Sequence, residues 1–442
     1  MSVKNYSTGT FQGGIHPDYD GKDLSQNAVI EVAPLYEKYE VAIQQNIGKA
    51  PKLIVAVGDD VKKGQKIAEA DGFVSVPLHS PTSGVVEAIT QIPGPMGVPV
   101  NAVVIKSDMK DEWGELAEPL DWRNVDGAVL KQRIADAGIV GMGGAAFPSA
   151  VKLSPPPEKK ITALVINGAE CEPYLTADHR LMLEAPERVL TGAAIMGKIL
   201  GVENIYIGVE LNKKDAIDML LAHAEKYNIK IVGLKVQYPQ GAEKQLIYAV
   251  TDRKVPAGGL PMDAGVVVQN TATCAAVADA VIEGKPLIDR VTTITGEAVK
   301  NPGNWRLKIG TPVREAIKLA GGTSDDVRKV ILGGPMMGFA QKSLDVTIQK
   351  NSSGVLIFPE SKVVQYQSGA CIRCGRCLQG CPMKLNPALL GRLIENEKFD
   401  LALQNNIMDC IECGSCAFIC PAHRPLVQHM RRAKAEIRNM KK

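Results

Sequence analysis

Between residues 121 and 287 short apolar runs alternate with stretches whose apolar positions fall at helical spacing. "ITALVING" (161–168), "ENIYIGVE" (203–210) and "IKIVGLKV" (229–236) read as buried strands, and "KKDAIDMLLAHAEKY" (213–227) reads as an amphipathic helix. This β-α-β-α order predicts a partly parallel sheet covered by helices. Upstream, from about Val41 to Lys106, short β-type runs alternate with turn signals, as in a small all-β module. Downstream, residues 288–345 combine the strand-like "RVTTITGEAV", the helical "TPVREAIKLAGG" and "KVILGGPMMG". Residues 1–40 are polar and irregular. Residues 346–365 read as a linker with one strand, and a cysteine-rich domain follows over 366–442. The expected fold class is multidomain α/β.

The all-β module, within an N-terminal region of residues 1–120, resembles the biotinyl/lipoyl-type barrel-sandwich hybrid. Carrier domains of that shape present a lysine at a hairpin tip. Here the matching turn is "LHSPTSG", with His79 and Ser80 and no lysine. A structural or docking role is expected rather than a swinging arm. Residues 288–345 resemble a β-grasp (SLBB) module.

Composition narrows the class. A chain of 442 residues suggests two to four domains, and 45% hydrophobic against 22% charged residues is an ordinary globular balance. A net charge of +3 is too small to argue for nucleic acid. No apolar run approaches the ~20 residues of a spanning helix, and the opening "MSVKNYSTGTFQGG" lacks a signal-peptide core. The expectation is a soluble intracellular chain, free to dock on a membrane complex. Thiols in such a compartment are metal ligands, nucleophiles or buried bystanders more often than disulfides.

Eight of the ten cysteines form two runs, "CIRCGRCLQGCP" and "CIECGSCAFICP". Both read C-x2-C-x2-C-x3-C-P, the spacing of two-cluster ferredoxins, in which the fourth cysteine of each run ligates the other cluster. The expected sets are Cys371, Cys374, Cys377 and Cys420 for one [4Fe–4S] cluster, and Cys410, Cys413, Cys416 and Cys381 for the other. Zinc knuckles pair C-x2-C units and need four ligands in all, so two four-cysteine runs fit them poorly. Between the runs, "NPALLGRLIENEKFDLALQ" opens on the helix-cap signal Asn386–Pro387, which predicts a helix-rich ferredoxin variant. Cys171 and Cys274 lie outside the pattern and read as small buried residues.

Clusters pass single electrons, whereas NADH moves two as a hydride, and a flavin bridges the two regimes. "DAGIVGMGGAAFPSAVKL" (136–153) is a glycine-rich loop before a strand, of the kind that brings backbone N–H groups against a phosphate or flavin ring. A tight structural turn would explain the glycines equally well. Lys152 follows it, placed for a phosphate. "NGAECEP" supplies Asn167, Glu170 and Glu172, and "VVVQNTATC" supplies Asn270 and Thr273, the polar groups a flavin edge and a ribose need. Glu170, Glu172, Asn270 and Thr273 could instead cap helices or pair with neighbours. "GGPMMG" reads as a turn, and the basic tail "HMRRAKAEIRNMKK" as a solvated helix face.

Together "GIVGMGGAAFPSAVK", "VINGAECEP", "YPQGAEKQ" and "VVVQNTAT" resemble the NADH-binding flavoprotein subunit of respiratory complex I. That family binds FMN and NADH in one pocket ahead of a β-grasp module and a single-cluster domain. The opening "FQGGIHPDYDGK", the barrel-sandwich segment and the paired cluster motifs resemble more closely the C subunit of the Rnf complex, a membrane-bound ferredoxin:NAD oxidoreductase that pumps Na+ or H+. The resemblance spans residues 10 to 425. It implies that Gly141, Gly143 and Gly144 lie against FMN and that Lys152 holds its phosphate side. It implies flavin contacts for Asn167, Glu170, Asn270 and Thr273, and a nicotinamide-nucleotide face at Phe147, Glu172 and Glu243. Gly241 belongs to the same cofactor set. The chain departs from the complex I pattern at Met142 (arginine there), Ala146 (glycine), Ala169 and Ala242 (acidic) and Gln269 (asparagine).

The resulting expectation is a Rossmann-like FMN/NADH domain over 121–287 feeding two [4Fe–4S] clusters. The chain is then a peripheral subunit on the cytoplasmic face of the membrane, with other Rnf subunits, NAD(H) and, indirectly, ferredoxin as partners. A cobalamin reductase of the diol-utilisation microcompartment shares the flavin, β-grasp and two-cluster order, and a flavin-free electron-wiring subunit is a third reading.

Overall fold

A computed structural model describes residues 8–440. The first seven residues of the opening stretch and Lys441 and Lys442 of the basic tail lie outside the described residues. Among the described residues no helix is long and apolar enough to cross a membrane.

The central unit is a parallel sheet. Its strands are β1 (Thr8–Gly9), β2 (Ala163–Asn167), β3 (Ile205–Glu210), β4 (Ile229–Leu234) and β5 (Val266–Asn270), in the order β1-β4-β3-β2-β5. The long strands are Val- and Ile-rich because helices cover the sheet, and parallel strands buried on both faces read as continuous apolar runs. The helices include α1 (Gly127–Asp136), α2 (Ala177–Glu184), α3 (Pro186–Leu200) and α4 (Thr271–Ile282), with Lys214–Ala224, as expected over 213–227, and Glu243–Thr251 also packed on the sheet. Helix α3 packs closely on α4: a Cβ on Gly192 would fall 1.8 Å from the Cys274 carbonyl oxygen, so only glycine fits there. Cys274 is fully buried in this contact, as expected.

The N-terminal module holds a four-stranded and a three-stranded antiparallel sheet. His79 is buried in the latter, and burial with the nearby Lys350 charge pushes its imidazole down to about 3. The hairpin tip is therefore packed inside the molecule rather than presented to solvent.

Two sequence expectations change. Residues 1–40 do contain strands: Thr8–Gly9 edges the parallel sheet, and Ile30–Val32 edges the β-grasp sheet beside Gly303–Lys308. Strands of two and three residues are too short to show alternation. The strand placed in a linker, Gly354–Pro359, lies inside the β-grasp sheet between Val327–Leu332 and Asp289–Thr295. It is fully buried, so it too lacks alternation.

In the last domain Asn386 caps the helix Pro387–Glu395 by accepting from the Leu389 amide, and Phe399–Gln404 forms a second short helix. The C-terminal helix Leu426–Met440 packs on both. Its apolar stripe, including Met430, Ala433 and Ile437, shares a buried core with Leu390, Ile394 and Ala402. The basic tail is thus a helix with one buried face.

Candidate functional site

The parallel sheet has one topological switch point. The chain runs outward from β2 through β3 to β4, then returns to place β5 on the other side of β2. Open α/β sheets bind ligands outside the carboxyl ends of strands at such a point. Asn167 and Asn270 are the last residues of β2 and β5 and are register partners. The glycine-rich loop covers this spot, since a Cβ on Gly143 would come 3.0 Å from the Asn270 side chain.

The loop is pinned at its feet and from behind. Val140 bridges Pro148, and the Gly141 amide donates to the Phe147 carbonyl at 2.9 Å. The Met142 amide donates to Thr273 Oγ1 at 2.9 Å, and the Met142 carbonyl accepts from the buried Arg290 at 3.2 Å. The Gly144 carbonyl accepts from Asn351, and the Ala146 carbonyl from the Ile47 amide. A Cβ on Gly144 would meet nothing within 4 Å, so its outer side is open. Ala146 has φ 55°, a left-handed conformation that favours glycine. The complex I pattern's glycine at this position therefore has a backbone reason.

The other residues gather around the switch point. Asn270 caps α4 through its Oδ1 and donates from Nδ2 to Asp178 at 2.7 Å. Burial and the neighbouring Glu170 push the Asp178 carboxyl up to about 6. Glu170 accepts from the Asp178 and His179 amides, holding the start of α2. Asn167 donates to the Gly241 carbonyl at 2.8 Å, and the Gly241 amide reaches Cys171 Sγ at 3.2 Å. Lys152 and Glu243 form an ion pair at 2.7 Å across the open face. Two buried lysines hold the "NGAECEP" turn: Lys22 donates to the carbonyls of Glu170, Glu172 and Leu175, and Lys213 to that of Ala169.

Glu172 has different company. Its carboxylate accepts from the Met336 and Met337 amides at 3.0 and 2.9 Å, so it grips the "GGPMMG" loop of the β-grasp module. A Cβ on Gly334 would lie 2.3 Å from its Oε2, which explains that glycine. The loop is a turn, as expected, and also an anchoring point.

The residues fit a flavin on structural grounds. An open glycine loop lies over the carboxyl edge of the sheet, and Gln269 Nε2 and Ser149 Oγ are buried without a partner among the described residues.

Cys381, Cys410, Cys413 and Cys416 line a single apolar void with Met383, Leu385 and Met430. This is the crossed set the spacing implies. Among the described residues no three His, Cys, Asp or Glu side chains close around one metal ion; the four thiols surround a space instead. In the other set, burial raises the Cys377 thiol, and the charges of Cys420 and Cys371 raise it further. Cys371 and Cys374 are exposed, whereas Cys381 and Cys413 are buried. Cys377 is also buried, and Cys410, Cys416 and Cys420 are half-buried, so the set with Cys371 and Cys374 is the more exposed of the two and the set with Cys381 and Cys413 the more buried.

Four family models match in chain order: an RnfC barrel sandwich hybrid domain over 9–110, a Nuo51 FMN-binding domain over 134–279, an SLBB domain over 291–340 and a 4Fe-4S dicluster domain over 363–421. The C subunit of the proton-translocating ferredoxin:NAD(+) oxidoreductase complex of Clostridium ljungdahlii is 48% identical over 431 residues, covering 97% of this chain and 94% of that one. The chain belongs to this RnfC family. A second member, from the Na(+)-translocating complex of Acetobacterium woodii, is 44% identical and covers 99% of this chain and 98% of its own. Among solved structures, an NAD+-reducing [NiFe]-hydrogenase in its H2-reduced state superposes with a TM-score of 0.53 at 17% identity. That match covers 72% of this chain and 63% of the hydrogenase chain, and it speaks to fold alone.

Sequence reasoning missed Asp178, Arg290 and Tyr238. Tyr238 stood inside the "YPQGAEKQ" motif. Asp178 and Arg290 reach the site only through tertiary contacts and left no signal along the chain.

Proposed function

We propose that this chain is the NAD(H)-linked electron-transfer subunit of an ion-translocating ferredoxin:NAD(+) oxidoreductase complex, docked at the cytoplasmic face of the membrane. FMN, when bound, exchanges hydride with NAD(H) and single electrons with the clusters. The chain's own work is placement. The glycine loop, braced by Arg290, Asn351 and Ile47, offers a rigid backbone surface beside Asn167 and Asn270. Lys152, now paired with Glu243, is the cation available to a phosphate. No side chain need move a proton in the hydride step.

The carrying observation is the position of the buried cysteine set. Tyr238, which precedes the Gly241 turn at the flavin site, donates to the Cys413 carbonyl at 2.7 Å. This favours a path from the switch point to the set of Cys381, Cys410, Cys413 and Cys416, and from there to the exposed set and a partner subunit. The match to an FMN-binding domain over 134–279 argues against a chain that has lost its flavin.

Anaerobic reconstitution of the full chain tests this reading. About eight irons and one FMN per chain are expected, with NADH bleaching the flavin. Eight irons without FMN, even in excess flavin, and no response to NADH would sink it.

A further inference from the structure

Three segments far apart in sequence meet on the buried cysteine set. From the central domain, Tyr238 is 2% exposed and its hydroxyl holds the Cys413 carbonyl. Gln245 from the following helix reaches the Pro382 carbonyl at 3.3 Å. From the N-terminus, the Gly14 amide donates to the Gly380 carbonyl at 3.2 Å, and Ile15 and Tyr238 exchange backbone hydrogen bonds. Gly13 is so close that a Cβ there would lie 2.8 Å from the Cys381 carbonyl oxygen. From the β-grasp module, Met336 packs with Ile15, Tyr238, Cys413 and Ile419, and its carbonyl oxygen lies 3.3 Å from where a Cβ on Gly414 would sit.

Glu172 fastens that third segment. It sits two residues beyond Glu170 in the turn after β2, and both carboxylate oxygens are taken by the Met336 and Met337 amides. Burial raises the Tyr238 phenol, and Glu172 lies close enough for its charge to raise it further. No cation is paired with Glu172 among the described residues. Two backbone amides on one carboxylate form a charge-assisted, bidentate grip with a defined geometry.

We propose that Glu172 and Tyr238 are a positioning pair that fixes the buried cysteine set, and the cluster it holds, against the carboxyl edge of the parallel sheet. Glu172 ties the switch-point turn to the β-grasp loop, the loop's Met336 abuts the Cys413–Gly414 turn, and Tyr238 ties that turn back to the central domain. Glu172 thereby has a structural task distinct from the nicotinamide contact that family resemblance implies for it. The pair acts through placement, and small misplacements of reacting groups are costly in rate.

The proposal rests on the flavin-to-cluster path proposed above, so wild type is the first arm of the test. In full-length reconstituted chain, stopped-flow mixing of NADH-reduced protein with a one-electron acceptor reports flavin reoxidation through the clusters, and a dithionite titration read by EPR gives the cluster potentials without NADH. If wild type shows no flavin or no electron flow, the path itself fails. With wild type active, Tyr238→Phe keeps the ring and deletes one hydrogen bond. It should retain full iron and FMN, slow flavin reoxidation several-fold and shift the potential of one cluster only. Glu172→Ala should slow reoxidation from a dithionite-reduced start as well, and Glu172→Gln, which keeps one acceptor, should recover part of the rate. Unchanged rate and potential in Tyr238→Phe would overturn the proposal. So would loss of iron from that variant, because the tyrosine would then be a scaffold residue only.

Discussion

At the scale of single residues the glycines have separable duties. Gly143 is packed against Asn270, whereas Gly144 has open space where a Cβ would point and no left-handed backbone to protect. Nothing in the protein itself requires glycine at 144. If its open side receives the flavin, Gly144→Ala will leave the melting temperature of the flavin-free chain unchanged and weaken FMN binding by about tenfold, roughly 1.4 kcal/mol. Flavin fluorescence titration of the apo chain reads the loss, and an unchanged affinity would place the flavin elsewhere. The polar candidates were legible as residue types at strand ends. Their partners were not: Asn270 binds Asp178 and Met142 binds Arg290 across 92 and 148 residues of chain.

At the scale of elements the two cysteine runs form pseudo-equivalent turns. Each opens with a glycine in the left-handed region, Gly375 and Gly414, ahead of a short helix. The fourth cysteine of the first run lies among the first three of the second around one void. Crossed ligation makes a clean forecast. Cys381→Ser should remove the buried cluster and Cys420→Ser the exposed one, each lowering iron from about eight toward about four per chain. EPR of the reduced variants should show two different residual signals. The residual spectrum of Cys381→Ser should match that of Cys413→Ser; a match to Cys374→Ser instead would mean that each run binds its own cluster. The helices and long strands were readable because their apolar spacing is local. The edge strands Thr8–Gly9 and Ile30–Val32 were not, since each exists only by pairing with a strand from the distant sequence.

At the scale of the whole molecule the N-terminal strap closes the assembly. It adds a strand to the parallel sheet and then passes over the Gly380–Cys381 turn. Gly13 has φ 89° and stands against the Cys381 carbonyl, so any side chain is both strained and in collision. Gly13→Ala should destabilise the fold by about 1–3 kcal/mol and speed iron loss to a chelator. Iron release at the wild-type rate would show that the strap does not brace the cluster turn.

The order of modules, the chemistry of the cysteine runs and the identity of the glycine loop were set by the sequence alone. Spacing along a chain controls which groups one turn or one strand end can present. Local spacing cannot say which module a strand joins or which side chain closes a junction. The tertiary structure decided that Gly354–Pro359 sits inside the β-grasp sheet, that Glu172 grips Met336 and Met337, and that Tyr238 holds Cys413. Those contacts join residues 164, 165 and 175 positions apart, and burial, not local pattern, is what selects them.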